Sequence, residues 1–153
     1  MSDFRAAAHL AEQLGDERFQ ALISSDNTGK VKDFCDELIL ASLPTTMTVG
    51  GRTYDLLGFL RKNEESVRGP VMVERAKEMN ANLGKEECAH LLGHQGDIPF
   101  ALRGKVVFVF TDLRRPGFPK SVACVYWIGG CWVQYWDWLG IVWNGNVRIL
   151  RRK

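Results

Sequence analysis

The chain is predicted to be an α+β protein on three observations. Apolar residues recur at helical spacing ahead of Pro44, alternating apolar runs hinged on glycine pairs come after it, and the last fifty residues are rich in β-branched and aromatic side chains. The expected order is N-terminal helices, a β-hairpin, a central helix pair and a C-terminal antiparallel β-meander.

Ser2 is placed to cap a first helix carrying Phe4, Ala7, Ala8, Ala11 and Leu14, with Gly15 as its stop. Asp16 caps a short second one with Phe19, Leu22 and Ile23. Val31, Phe34, Cys35, Leu38 and Ile39 follow the i, i+3, i+4, i+7, i+8 pattern of an amphipathic helix that ends before Pro44. From Met47 to Phe59 the pattern alternates around Gly50-Gly51, a hairpin signature. Pro70 suits the first turn of a helix running to Leu83, with Gly84 as its stop, and a shorter helix spans Lys85 to Leu92. Lys105 to Thr111 reads as a strand, and the two prolines between Arg114 and Pro119 mark a loop.

The rest of the chain holds all five tryptophans, between Trp127 and Trp143. With Gly129-Gly130 as a two-residue turn, Ile128 pairs with Cys131, Trp127 with Trp132, and Cys124 with Tyr135. Alternation then sets Ala123, Val125, Trp127, Trp132, Gln134, Trp136 and Trp138 on one face, here called face A. Val122, Cys124, Tyr126, Ile128, Cys131, Val133 and Tyr135 fall on face B, which resembles a core layer. A further turn at Leu139-Gly140 pairs Trp136 with Trp143. Asn144-Gly145, a stronger turn signal, pairs Val142 with Val147 and adds Ile141, Trp143, Arg148 and Leu150 to face A.

With 153 residues, 46% of them apolar and 25% charged, the chain can bury a substantial core and remain soluble, so one domain over 1–153 is expected, with 1–43 as a helical head and 44–153 as the body. Neither a basic-then-apolar leader nor an apolar run of membrane-spanning length is visible, and a cytoplasmic location without membrane contact is expected. The hairpin register separates Cys124 from Cys131 by about 13 Å, too far to bridge. All four cysteines are therefore read as free, buried thiols in a reducing compartment. Charge is uneven. Residues 1–43 carry four Lys/Arg against eight Asp/Glu, whereas 105–153 carry eight against two, so an anionic partner would meet the basic tail.

Catalytic signatures are few. No nucleophile elbow, P-loop or dinucleotide fingerprint occurs, and the Gly pairs are explained as turns. Asp112 and Asp137 are the one potential carboxylate pair. Cys88, His90 and His94 are the only residues with metal-ligand spacing, which leaves a zinc-dependent hydrolase as an alternative. Gly93 ends the helix before His94, no fourth ligand is evident, and no metal or other cofactor is expected. The helix pair followed by strands has the outline of a winged helix-turn-helix, but a reading helix beginning Lys85-Glu86-Glu87 would turn carboxylates toward phosphates.

Trp127, Trp132, Gln134, Trp136, Trp138, Trp143 and Arg148 form the strongest candidate binding constellation. On this reading the protein is a non-enzymatic binding module whose face, with Gln134 among the indoles, equally suits a protein or a sugar partner. The alternative is single-stranded nucleic acid, stacked on the indoles beside Arg148, Arg151, Arg152 and Lys153. The opposing reading makes the tryptophans core; function would then lie in the loop from Arg114 to Lys120 or in the head.

Thr46-Met47-Thr48-Val49-Gly50-Gly51-Arg52-Thr53-Tyr54, Met72-Val73-Glu74-Arg75-Ala76-Lys77-Glu78-Met79-Asn80-Ala81 and Gly104-Lys105-Val106-Val107-Phe108-Val109-Phe110-Thr111-Asp112, with the Trp-rich end, resemble a small-protein family of candidate-phylum (Patescibacteria-type) bacteria known from metagenomes. The resemblance covers about residues 16 to 153. It implies a bacterial origin and a discrete domain, and it transfers no active site.

Overall fold

The computed structural model describes residues 38–153. The chain divides into two compact units, 1–43 and 44–153, and the second is the subject here. The expected helices around Phe4, Phe19, Val31, Phe34 and Cys35 lie outside the described residues.

Strands β1 (Thr46–Val49) and β2 (Arg52–Leu57) form the expected hairpin around Gly50-Gly51. A short β3 (Ser66–Arg68) leads into helix α1 (Gly69–Glu78). This helix stops five residues before the expected Leu83. Asn80 takes a left-handed φ of 58°, and the Ala81 N–H reaches back to the Ala76 carbonyl at 2.8 Å, so the carbonyls of the last turn are satisfied there. Helix α2 (Lys85–Gly93) follows, then two 3-10 turns, Gln95–Asp97 and Phe100–Leu102. The long strands β4 (Val107–Arg115), β5 (Phe118–Ile128) and β6 (Cys131–Trp138) make the antiparallel meander. The expected loop at Arg114–Pro119 is thus reduced to Pro116-Gly117. Pro119 falls where the β4–β5 ladder is interrupted, so its missing N–H costs no strand bond.

Gly129 and Gly130 both have positive φ, 63° and 87°, and the β5–β6 register is the one their turn dictates: Ile128 with Cys131, Trp127 with Trp132, Cys124 with Tyr135. Beyond Trp138 the local reading fails. The turn at Leu139-Gly140 carries β7 (Val142–Asn144) off the sheet to pair with β3, so Trp143 lies opposite Val67 and not Trp136. Nor do Val142 and Val147 pair. Strand β8 (Val147–Arg152) enters the middle of the sheet, antiparallel to β2 and parallel to β4, giving the order β1-β2-β8-β4-β5-β6. The reason lies in its side chains: Val147, Ile149 and Leu150 are apolar toward both faces, which suits a strand covered on both sides.

Both faces of the sheet are indeed covered. On face B, Val109, Val122, Cys124, Val147 and Ile149 pack with Met72 and Ala76 of α1 and with Val67 and Trp143 of the small ribbon. On face A lies α2. Its Glu87 reaches Tyr54 on β2 and Arg152 on β8, and His90 Nε2 donates to the Val49 carbonyl at 2.8 Å. Glu87 is buried, so its carboxylate faces the sheet, whereas that of Glu86 stays exposed.

An edge strand as candidate interaction site

The five tryptophans do not share one open surface. Trp132, 2% exposed, packs its ring 5.2 Å from that of Phe108, and Trp143, 3% exposed, belongs to the core on face B. Both are core residues, and the indole N–H of each is buried without a hydrogen-bond partner. Trp127 is half-buried beneath the Arg103 guanidinium, which lies 4.2 Å from its ring centre and 4.8 Å from that of Phe100. Trp136 is half-buried, and Trp138 is open, with 56% of its surface exposed. Of the expected platform, Gln134, Trp136 and Trp138 remain together, at alternate positions along β6.

The cations assigned to that platform are elsewhere. Arg148, Arg151 and Arg152 belong to β8 and Lys153 follows it directly, and β4 and β5 separate β8 from β6, about 14 Å at the spacing of neighbouring strands. Each is already engaged: Arg151 and Lys153 with Asp55, Arg152 with Glu87, and Arg148 Nη1 with the carbonyls of Gly145 and Val147. Stacking faces and phosphate-binding charges are therefore not adjacent.

The zinc alternative fares no better. His90 gives its Nε2 proton to Val49, His94 Nδ1 is 3.0 Å from the His90 carbonyl, and the two rings stack at 4.4 Å. Cys88 is buried, with its thiol pushed up to about 11 by that burial, so it offers no ready thiolate. Among the described residues no three His, Cys, Asp or Glu side chains converge as metal ligands. The carboxylate pair does not form a working dyad either: Asp112 accepts from Asn82 at 3.0 Å, and Asp137 Oδ1 accepts from the Trp138 N–H at 2.8 Å.

What the structure does present is the outer side of β6, the edge strand of the six-stranded sheet among the described residues. In the segment Cys131–Trp138 only Asp137 is charged. Backbone directions along it follow from one contact. Gln95 Oε1 accepts from the Trp132 N–H at 2.9 Å while its Nε2 donates to the Trp132 carbonyl at 3.3 Å, so Trp132 turns its backbone away from β5. Alternation then turns the N–H and C=O of Gln134 and Trp136 outward as well, and neither residue's outward groups have a partner among the described residues. Just past the strand, Ile141 and Val142 are 39% and 59% exposed, and the Arg68 guanidinium approaches the Gly140 carbonyl. Behind the edge, on face B, burial and the neighbouring Cys124 thiol hold the Tyr135 phenol above its ordinary range, so it stays neutral.

The edge was not read from the sequence, because β6 was expected to pair with a strand at Trp143. The usable signal was its low charge. A strand with one ionic residue in eight lacks the lysines, prolines and bulges that normally close an edge. No family model, curated protein or solved structure matches the chain.

Proposed function

We propose that this protein is a non-enzymatic interaction module, resident in a reducing cytoplasm, that binds an extended protein segment by strand addition to β6. The carrying observation is the pair of outward-facing backbone positions at Gln134 and Trp136 on a nearly uncharged edge strand. Main-chain hydrogen bonds would supply affinity, and the flanking Trp136, Trp138, Ile141 and Val142 side chains would supply apolar contact and selectivity. Free Cys88, Cys124 and Cys131 support the reducing compartment. No described helix is long and apolar enough to cross a membrane.

Peptide display on the full chain tests this. Random extended heptapeptides should be selected, and Gln134→Pro should abolish their capture without unfolding the protein, since the lost N–H makes no bond within the sheet. Selection of peptides that bind Gln134→Pro equally well would overturn strand addition. Single-stranded nucleic acid remains the second reading, on the Phe100, Arg103 and Trp127 stack. Quenching of Trp127 by oligothymidylate, lost on Arg103→Ala and steeply weakened by salt, would favour it over a protein partner.

A further inference from the structure

We infer that the strand added to β6 is β6 of a second copy of this chain, paired antiparallel about a two-fold axis at Tyr135. This rests on the edge reading above and names the occupant. The argument comes from which backbone groups are open and which are closed.

Three positions along β6 turn outward before its last residue: Trp132, Gln134 and Trp136. Trp132 is closed, because both its backbone groups are taken by the Gln95 amide. Trp138, the next outward position, has its N–H taken by Asp137. Closed positions therefore bracket the open pair, each three residues from Tyr135. In an antiparallel self-pairing the register is set by the residue on the axis. An axis at Gln134 would drive Trp136 against the clamped Trp132 of the other copy. With the axis at Trp136, Gln134 would be wasted on the half-closed Trp138. Only the axis at Tyr135 sets each open residue against the other, Gln134 of one copy opposite Trp136 of the second, and sets the closed positions against each other. Four backbone hydrogen bonds result, two from each Gln134–Trp136 pair.

Charge and chain path agree with that register. Asp137, the sole charge on β6, falls opposite Val133 of the second copy, so no like charges face each other. At each end of the pairing the second copy's strand stops at Trp138, and its Leu139 N–H turns inward to the Lys120 carbonyl, so the chain leaves the sheet plane where the Gln95 clamp begins. The product is a continuous twelve-stranded sheet with Tyr135 of both copies side by side on face B.

Sedimentation equilibrium on the full chain, over a range of micromolar concentrations, is the test. A monomer–dimer equilibrium is expected, shifted to monomer by Gln134→Pro with the melting curve otherwise preserved. A second comparison probes the register without relying on that variant. Gln134→Lys with Trp136→Lys places cation against cation at both pairs, whereas Gln134→Glu with Trp136→Lys places opposite charges there. The double-lysine chain should associate about tenfold or more weakly than the Glu/Lys chain. Equal association of the two overturns the Tyr135 axis. A wild-type chain that stays monomeric throughout, yet captures display peptides in a Gln134-dependent way, overturns the second copy as occupant and leaves strand addition standing; one that also captures none removes both.

Discussion

The Tyr54 hydroxyl donates to Glu87 Oε2, a buried bond that ties the second strand to the second helix across the inner face of the sheet. Arg52 approaches the same carboxylate oxygen at 3.3 Å, and Arg152 meets the other one at 3.1 Å. Burial pushes the Glu87 carboxyl upward, but the Tyr54 bond and the two guanidinium charges outweigh it and hold the group below the ordinary glutamate range.

Glu87→Ala should therefore destabilise the protein by about 3 kcal/mol, because it strands a buried phenol and removes the charge that both arginines share. The carboxyl's folded pKa is depressed, so its stabilisation is complete above the ordinary glutamate range and disappears as pH falls through the folded value. In urea melts, the stability gap between wild type and Glu87→Gln should narrow as pH is lowered from about 6 to about 3. A gap independent of pH would mean that the ionised carboxylate is not what Tyr54 and the arginines hold.

Gly50 and Gly51 make one turn yet should respond differently to alanine. Gly50 has φ 54°, and a Cβ there would come within 2.6 Å of His94 Cγ and 2.7 Å of His90 Nε2. Gly51 has φ 76° with open space around it. Gly51→Ala should cost about 1 kcal/mol, the backbone penalty alone, whereas Gly50→Ala adds displacement of the histidine pair and loss of the His90–Val49 bond, for a total of about 2 to 3 kcal/mol. Chemical denaturation of the two variants separates these contributions; equal losses would place the turn away from α2.

Trp132→Ala should cost about 3 to 5 kcal/mol as a core truncation, and Trp138→Ala less than about 1 kcal/mol. Iodide should quench Trp138 emission and leave the Trp132 contribution intact. Reversal of this order in thermal melts would contradict the burial of Trp132 under α2.

Native thiol titration should modify Cys131 rapidly, since, unlike the buried thiol expected from the sequence, it is exposed beside the β5–β6 turn. Cys88, pushed up to about 11 by burial, and Cys124, pushed up to about 12 by burial and the nearby Asp137, should react only on unfolding. Fast labelling of Cys124 in the folded protein would show that face B opens on the timescale of the reaction.

Features governed by neighbours in sequence were legible without a structure. Two glycines at positive φ permit a tight turn whose geometry sets every pair of the adjoining strands, so the β5–β6 register and the two faces of Ala123–Trp138 followed from Gly129-Gly130. Helix α2 was legible as the short helix expected after the Gly84 break. The end of α1 was written in Asn80, whose left-handed conformation offers a stop, although Gly84 appeared to offer a later one.

Tertiary structure decided what local geometry cannot. Asn144-Gly145 does turn the chain, and Asn144 Oδ1 accepts from the Asn146 N–H at 3.2 Å, but a turn restricts only its flanking residues and does not oblige them to pair. Val147, Ile149 and Leu150 gain more by burial between two layers than an edge hairpin would offer, so β8 goes to the middle of the sheet and Trp143 into the core beside Val67. The five tryptophans were visible in the sequence as a set; their division into core and surface was not, because it depends on where α2 and β8 come to rest. That placement also leaves β6 at the edge, with Gln134 and Trp136 facing outward, since backbone hydrogen bonds left unpaired by the sheet must be met from outside it.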